Sequence, residues 1–228
     1  MDTSKMEALC GIMDALLGEN GCPWDRQQTH ESLRPYLLEE AYEAAEAIDA
    51  QDMPALCEEL GDVLFQIVFH ATLAEKESRF TLDDIIDGVS QKLIRRHSHI
   101  FGADQADTAV ITASDVEAIW ARNKKKEKQY ETEADRLRAV PKALPALMRA
   151  QTVLKRAKPS DGRAECFVQM RQLLDKLEKT ANNPGESGAV SPVFGELLLN
   201  MVKIFNILEI NAEFSLTKAI EAFINSVE

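Results

Sequence analysis

The sequence predicts an all-α protein. Apolar residues recur three and four positions apart over long windows, strand-like alternation is nearly absent, and Gly and Pro are confined mostly to a few breaks. With 228 residues and 45% hydrophobic content, the chain can build one large core or two smaller ones. The periodicity predicts a bundle of helices over about residues 4–18, 31–50, 53–77, 81–97, 113–130, 143–157, 163–181, 192–211 and 215–227.

Three breaks interrupt the helical pattern: "GENGCPWDRQQT", "HSHIFGADQADTAV" and "NNPGESGAVSP". The first contains Trp24, Asp25 and Arg26 in a short connection rich in Gly and Pro. Binding residues are common in such loops, so Trp24 is a candidate for ligand contact.

The composition excludes several classes of protein. A net charge of −12 argues against nonspecific binding to the phosphate backbone of nucleic acid, because such binding depends on clustered Lys and Arg. The same charge means that an anionic ligand would need a cation beside it. The four cysteines are far apart and form no CxxC pair, so neither a zinc knuckle nor a disulfide framework is indicated. No apolar run resembles a signal peptide or a membrane span. We therefore expect a cytoplasmic protein with no membrane partner.

The chain also resembles itself at an offset of 134 positions. Residues 60–93 align without gaps on residues 194–227, with Gly61 opposite Gly195 and Phe80 opposite Phe214. The match includes "RFTL" and "EFSL", which both look like helix starts after a break. The alignment predicts two related helical modules.

The most informative pattern is a set of acids on two apolar helices. Glu40 and Glu43 lie three apart, as do Glu59 and Asp62, so each pair shares a helix face. Two such helices side by side would bring four carboxylates together, an arrangement suited to a hard cation such as Mg²⁺. The alternative is a solvated acidic stripe, or an ion pair between Asp62 and a base such as Arg95.

The second module lacks these acids. Glu58, Glu59 and Asp62 align with Pro192, Val193 and Glu196. Because the apolar scaffold is kept while most of the carboxylates are lost, we expect the acids to have a role separable from folding.

Cations follow the acidic helices in "KLIRRHSHIF". Lys92, Arg95 and Arg96 lie near a predicted helix C-terminus, where they could either interact with the helix dipole or bind phosphate oxygens. Further along, Trp120 and Lys124 in "IWARNKKKEK" could either form a solvated helix end or stack a base and contact a phosphate.

The segments "ENGCPWDRQQTHESLRPYLLEEAYEAAEAID", "EELGDVLFQIVFHA", "RFTLDDIIDGVSQKLIRRHSHIF" and "LPALMRAQ" together resemble the MazG family of nucleoside triphosphate pyrophosphohydrolases. This resemblance implies a dimer or higher homo-oligomer that cleaves a nucleoside triphosphate to the monophosphate and pyrophosphate with Mg²⁺, for which Mn²⁺ could substitute. It implies that the metal ligands are Glu40, Glu43, Glu59 and Asp62, and that Glu39, Glu40 and Glu58 orient or activate water. It also implies that Lys92, Arg96, Trp120 and Lys124 contact the nucleotide. Trp24 and Arg95 are further candidates for this contact because of their places in the first loop and in the basic segment.

With the resemblance, the expected organisation is a catalytic module over 1–125, a charged linker over 126–142, and a degenerate module for packing or dimerisation over 143–228. Two alternatives remain: a narrower enzyme acting on deoxynucleotides or phosphoribosyl-ATP, and a catalytically silent nucleotide-binding scaffold. A di-iron carboxylate bundle is excluded because no histidine has Glu three residues before it.

Overall fold

The computed structural model describes residues 3–101, 112–127, 130–181 and 187–227. Within those ranges every regular element is a helix, which confirms the all-α prediction. The chain divides into two compact units, residues 1–127 and 128–228. None of the described helices has both the length and the apolar character that crossing a membrane requires.

The first unit is built on a helical hairpin of α2 (His30–Ala50) and α3 (Met53–Lys76). Gln51 ends α2 in the left-handed conformation with φ of 58°, and the Asp52 side chain accepts a hydrogen bond of 3.1 Å from the Ala55 N–H to begin α3. A two-residue connection makes the helices antiparallel neighbours, and they form the most extensive helix pair of this unit. The other elements are α1 (Thr3–Leu17), a 3₁₀ helix (Asp25–Gln27), α4 (Leu82–Arg96), α5 (Ser98–Phe101) and α6 (Ala113–Glu127).

The core of the first unit lies among α1, α2 and α3. Met13, Leu33, Val68 and Phe69 are almost completely buried there. Ile67 of the apolar segment "VLFQIVFHA" is nevertheless exposed, so that segment is buried on only part of its surface. Lys76 near the end of α3 donates to the carbonyl oxygen of Leu17 at 2.5 Å and so holds the C-terminus of α1.

The second unit contains α7 (Glu133–Arg138), α8 (Ala146–Ala157), α9 (Arg163–Ala181), α10 (Ser187–Ile207) and α11 (Ala212–Asn225). A buried glutamine fixes the turn between the last two helices. Gln151 on α8 donates to the carbonyl of Ile210 at 2.8 Å and accepts from the N–H of Ala212 at 2.8 Å. The turn is therefore attached to α8 through backbone groups that would otherwise be unpaired.

Most helices lie within a few residues of their predicted bounds, but three segments differ. Residues 126–142, expected to be a linker, contain α7 and the buried Val140. Helix α10 begins at Ser187, five residues before the predicted start at 192, and contains Pro192. The loops expected over 97–110 and 182–192 are partly helical, and residues 102–111 and 182–186 lie outside the described residues.

The start of α11 differs as well. The sequence predicted a start near 215, where Ser215 aligns with Thr81, the true N-cap of α4. In the structure Asn211 is the N-cap of α11, and its side chain accepts from the Phe214 N–H at 3.1 Å. Ser215 lies inside the helix and donates to the carbonyl of Asn211. The two segments therefore do not begin their helices at equivalent positions.

The helix order of the two units is nevertheless similar. In the first unit α3 packs against α1, α2 and α4, and in the second α10 packs against α8 and α9. A duplicated module would produce these shared pairs. Helix α11 packs on α8, whereas α4 packs on α3. The helix that follows α3 and the helix that follows α10 therefore differ in their contacts. The duplication itself stays a prediction.

Candidate metal and phosphate site

Three predicted carboxylates converge on the α2–α3 hairpin. Glu40 and Glu43 extend from one face of α2, and Glu59 extends from α3. Each residue offers one carboxylate oxygen, and the three oxygens lie within 4.8 Å of one another. Glu40 and Glu59 are half-buried, while Glu43 is exposed. The structure thus groups side chains from both acidic segments.

The carboxylates of this cluster repel one another. Burial raises the pKa of the Glu40 carboxyl above its usual value, and the negative charges of Asp62 and Glu43 raise it further. Burial also raises the pKa of Glu59, and Glu43 and Asp62 again add to the effect. Asp62, although exposed, therefore acts on both half-buried acids and belongs to the same electrostatic cluster.

Glu39 and Glu58 are exposed and adjoin the cluster in the chain. The negative charge of Glu58 contributes to the raised pKa of Glu59, so it is electrostatically close to it. Both side chains are accessible to water, which a role in orienting water would require.

The predicted cations on α4 are engaged with α6. Arg96 donates to Oε2 of Glu127 from Nη2 at 2.7 Å and from Nε at 3.1 Å. Arg95 lies 3.6 Å from Oε1 of the same carboxylate, so in the described part of the chain Arg95 pairs with Glu127 rather than with Asp62. These arginines lower the pKa of Glu127. The side chain of Arg96 is 15% exposed, whereas that of Arg95 is 55% exposed, so Arg95 is the more accessible cation.

Trp120 lies beneath this ion pair. The guanidinium carbon of Arg96 is 5.9 Å from the centre of the Trp120 ring, and the His97 ring meets it edge-on at 4.9 Å. Asn123 donates to the carbonyl of Arg95 at 3.1 Å, at the C-terminal end of α4. The helix end is therefore joined to α6 by charge, aromatic and backbone contacts.

The other residues predicted to contact the nucleotide differ in their exposure and contacts. Lys92 is half-buried on α4. Trp24 is half-exposed and its ring meets that of Tyr36 edge-on at 6.0 Å. The side chain of Lys124 lies outside the described residues.

Sequence reasoning missed Glu127 and Asn123 as partners of the basic segment. Both lie within the charged run "RNKKKEK", which is typical of a solvated helix end. Their contacts span about 30 positions of the chain, and helical periodicity carries no signal for such pairs.

The match to a known family agrees with this arrangement. Residues 28–101 match the model of the MazG nucleotide pyrophosphohydrolase domain, a range that contains all four predicted metal ligands and the cations of α4.

Curated relatives extend the similarity over nearly the whole chain. A Thermotoga maritima protein described as nucleoside triphosphate pyrophosphohydrolase/pyrophosphatase MazG is 38% identical over 96% of this chain and 82% of its own length. An Escherichia coli nucleoside triphosphate pyrophosphohydrolase is 36% identical over 96% of this chain and 84% of its own length. A Bacillus subtilis protein named YabN is 49% identical over 63% of this chain, and the match spans 28% of that relative's length.

A helical hairpin that gathers carboxylates from both of its helices belongs to the class of all-α proteins that build a polar site between facing helices. Within that class, the chain belongs to the MazG family of nucleotide pyrophosphohydrolases, which are hydrolases acting on phosphoric anhydride bonds.

Proposed function

We propose that this protein hydrolyses nucleoside triphosphates, in the ribo or deoxy form, to the nucleoside monophosphate and pyrophosphate, with Mg²⁺ as cofactor. The observation that carries the proposal is the meeting of Glu40, Glu43 and Glu59 oxygens within 4.8 Å across two helices. The descriptions of the Thermotoga and Escherichia relatives as nucleoside triphosphate pyrophosphohydrolases support it.

The donor set fits a hard divalent cation. Carboxylate oxygens suit Mg²⁺, with Mn²⁺ as a substitute. Burial and mutual repulsion raise the pKa of Glu40 and Glu59, and a bound cation would offset both effects with its positive charge. We propose Glu40, Glu43, Glu59 and Asp62 as the ligands. A bound cation supplies positive charge to phosphate oxygens and polarises water.

The other residues of the site would act on the nucleotide and on water. Glu39, Glu40 and Glu58 are the candidates to orient a water molecule or take its proton. Lys92 and the exposed Arg95 are placed on α4 as candidates to stabilise the leaving pyrophosphate. The guanidinium of Arg96 would have to leave Glu127 to do the same. Trp24, Trp120 and Lys124 are further candidates for base and phosphate contacts.

The wider organisation belongs to the same proposal. We assign catalysis to residues 1–125, and packing or dimerisation to the acid-poor residues 143–228 that follow the segment 126–142. The enzyme would work in the cytoplasm as a homodimer or higher homo-oligomer.

A nucleotide panel tests this function. Pyrophosphate release is measured for all common ribo- and deoxynucleoside triphosphates and for phosphoribosyl-ATP, with and without Mg²⁺. The wild type and Glu59→Gln are compared, with Glu46→Gln as the matched control, because Glu46 is an exposed acid on α2 outside the oxygen cluster. We expect Mg²⁺-dependent turnover that Glu59→Gln abolishes and Glu46→Gln preserves.

Other outcomes select the alternatives. Turnover limited to deoxynucleotides or to phosphoribosyl-ATP would indicate the narrower enzyme. Nucleotide binding by the wild type without any pyrophosphate release would contradict catalysis and favour the silent scaffold.

A further inference from the structure

Two histidines join the open end of the α2–α3 hairpin. His30 is the first residue of α2 and His70 lies near the end of α3, 40 positions away. Their Nδ1 atoms are 2.7 Å apart, and the two rings are nearly parallel, with an interplanar angle of 12° and centres separated by 5.0 Å. The contact lies at the opposite end of the hairpin from the connection at Gln51 and Asp52, so it fixes the start of α2 on α3.

A nitrogen–nitrogen contact of this length needs one hydrogen between the two atoms. One ring donates through Nδ1–H, and the other accepts through the lone pair of its Nδ1. The contact is compatible with two neutral rings or with one cationic and one neutral ring. It is not compatible with two cationic rings, because both Nδ1 atoms would then carry a hydrogen.

The surroundings of His70 do not compensate a positive charge on its ring. Burial is the main cause that lowers the pKa of His70, and repulsion by His30 is the second. The charged groups that share a cavity of about 220 Å³ with His30 are Glu31, Glu77 and Arg79. Glu31 is held by its own N–H and the Thr29 hydroxyl, which lower its pKa, and Glu77 pairs with Arg79 at 2.6 Å.

The neighbouring helices add charges that act elsewhere. On α2, Arg34 contributes with His30 to the lowered pKa of Glu31. Asp14 on α1 and Asp83 on α4 raise the pKa of the Cys10 thiol, although burial of the thiol is the larger cause. Glu31 is thus the acid that interacts with His30, whereas burial and His30 itself are the causes of the lowered pKa of His70, with no acid among them.

We propose that His30 and His70 form a proton-sensitive clasp, which holds the start of α2 against α3 while at most one of the two rings is charged and releases it when both are protonated. The clasp concerns the stability of the hairpin and does not depend on the proposed catalytic function.

The direction of the pH effect follows from proton counting. In the unfolded chain both histidines take up protons below the ordinary histidine pKa of about 6.5. The folded pair takes up no more than one proton while the contact persists, so the unfolded state binds more protons in acid and stability falls with falling pH. A difference of one proton changes the unfolding equilibrium constant about tenfold for each pH unit.

Urea unfolding of the full-length protein between pH 5 and pH 8 tests the clasp. The wild type is compared with the double variant His30→Phe/His70→Phe, which keeps two flat rings and removes the titrating nitrogens. We expect the unfolding equilibrium constant of the wild type to rise about tenfold from pH 6.5 to pH 5.5 relative to the double variant. Equal pH slopes in the two proteins would overturn the proposal.

Nitrogen-detected imidazole NMR of the wild type provides a second test that needs no variant. The expected spectrum shows one Nδ1–H between the two rings at pH 7.5, with loss of this hydrogen bond only when the second ring is protonated in acid. Two independent titrations close to the ordinary histidine pKa, without a shared hydrogen, would also overturn it.

Discussion

At the residue scale, the carboxylate cluster brings oxygens of Glu40, Glu43 and Glu59 within 4.8 Å of one another, and the charge of Asp62 acts on it. Because burial and neighbouring charges raise the pKa of Glu40 and Glu59, ionising them costs the metal-free protein stability. The stabilisation that the protonated carboxyls give the folded state is fully present below the unfolded pKa of about 4.3, and it is lost as pH rises through the raised folded pKa. At neutral pH the metal-free cluster therefore opposes folding.

This repulsion predicts opposite effects of one substitution on stability and activity. In the absence of divalent ions Glu59→Gln should raise Tm, because it removes one negative charge from the cluster. It should also diminish the increase in Tm that Mg²⁺ produces in the wild type, and reduce turnover about a hundredfold or more. Differential scanning fluorimetry with and without Mg²⁺ measures the stability effects. A lower Tm in the metal-free variant would show that Glu59 has a structural partner instead.

The same groups predict a pH dependence of metal binding. Protons compete with the cation for carboxylates of raised pKa, so the affinity for Mg²⁺ should fall as pH decreases from 8 to 5. Isothermal titration calorimetry at several pH values measures the Kd, with Glu46→Gln as the control expected to follow the wild type. An affinity that is independent of pH over this range would contradict cation binding by Glu40 and Glu59.

The two arginines of α4 predict a contrast in stability. Arg96 makes two hydrogen bonds to Glu127 and is mostly buried, whereas Arg95 approaches the same carboxylate at 3.6 Å from a mostly exposed position. Arg96→Ala should therefore lower the midpoint of urea unfolding more than Arg95→Ala does. Equal effects of the two substitutions would show that the positive charge at the end of α4 stabilises the fold, and not the specific hydrogen bonds between Arg96 and Glu127.

The sequence predicted the acids of the site better than its basic contacts. Glu40 and Glu43 share a face because of their spacing within one helix, and an apolar neighbouring helix with acids at the same spacing predicted their partner. The contacts of Arg96 with Glu127, and of His30 with His70, join residues 31 and 40 positions apart. Such pairs depend on how helices pack, which local periodicity does not encode.

At the element scale, the residues that begin each helix decide its bounds. The N-cap Thr29 begins α2 and Thr81 begins α4, each through a reciprocal pair of hydrogen bonds with the residue three positions later. The sequence placed both starts correctly within a residue or two. It placed α11 too late, because Ser215 has the same apparent context as Thr81 while Asn211 stands one turn earlier.

The start of α11 is open to a direct test. Asn211→Ala should destabilise the protein by about 1 kcal/mol, since the Phe214 N–H loses its acceptor. Ser215→Ala removes a hydroxyl inside the helix and should change stability by less than about 0.5 kcal/mol. Urea unfolding of the two variants provides the comparison. A larger loss of unfolding free energy from Ser215→Ala than from Asn211→Ala would support the start of α11 near residue 215 that the internal repeat predicted.

At the scale of the whole molecule, the two units keep similar helix pairs but differ in charge. The hairpin of the first unit carries the carboxylate cluster, while Val193 of the second unit, which aligns with Glu59, is part of that unit's core. Under the predicted duplication, the second unit therefore carries a buried valine where the first carries an acid. We therefore expect the acids to serve a ligand in the first unit.

The surface of the first unit predicts self-association. Leu38 and Tyr42 lie one turn apart on α2, and Leu60 lies on α3; each has about half of its surface exposed. Three further apolar residues on α4, at spacings of three and four, are 41–42% exposed: Ile86, Val89 and Leu93. Exposed apolar side chains on three helices of one unit favour burial against another protein surface, and a second copy of the chain would satisfy the expected homo-oligomer.

Light scattering after size exclusion should therefore give a mass of at least twice the 25.4 kDa of one chain. The double variant Leu38→Lys/Leu60→Lys should shift the mass towards one chain, because a charge on each hairpin helix would have to be buried at the contact. Ile12→Lys, a change at an exposed residue of α1, is the control expected to keep the assembly. A wild-type mass of one chain over a hundredfold range of concentration would leave these apolar side chains in water and refute the oligomer.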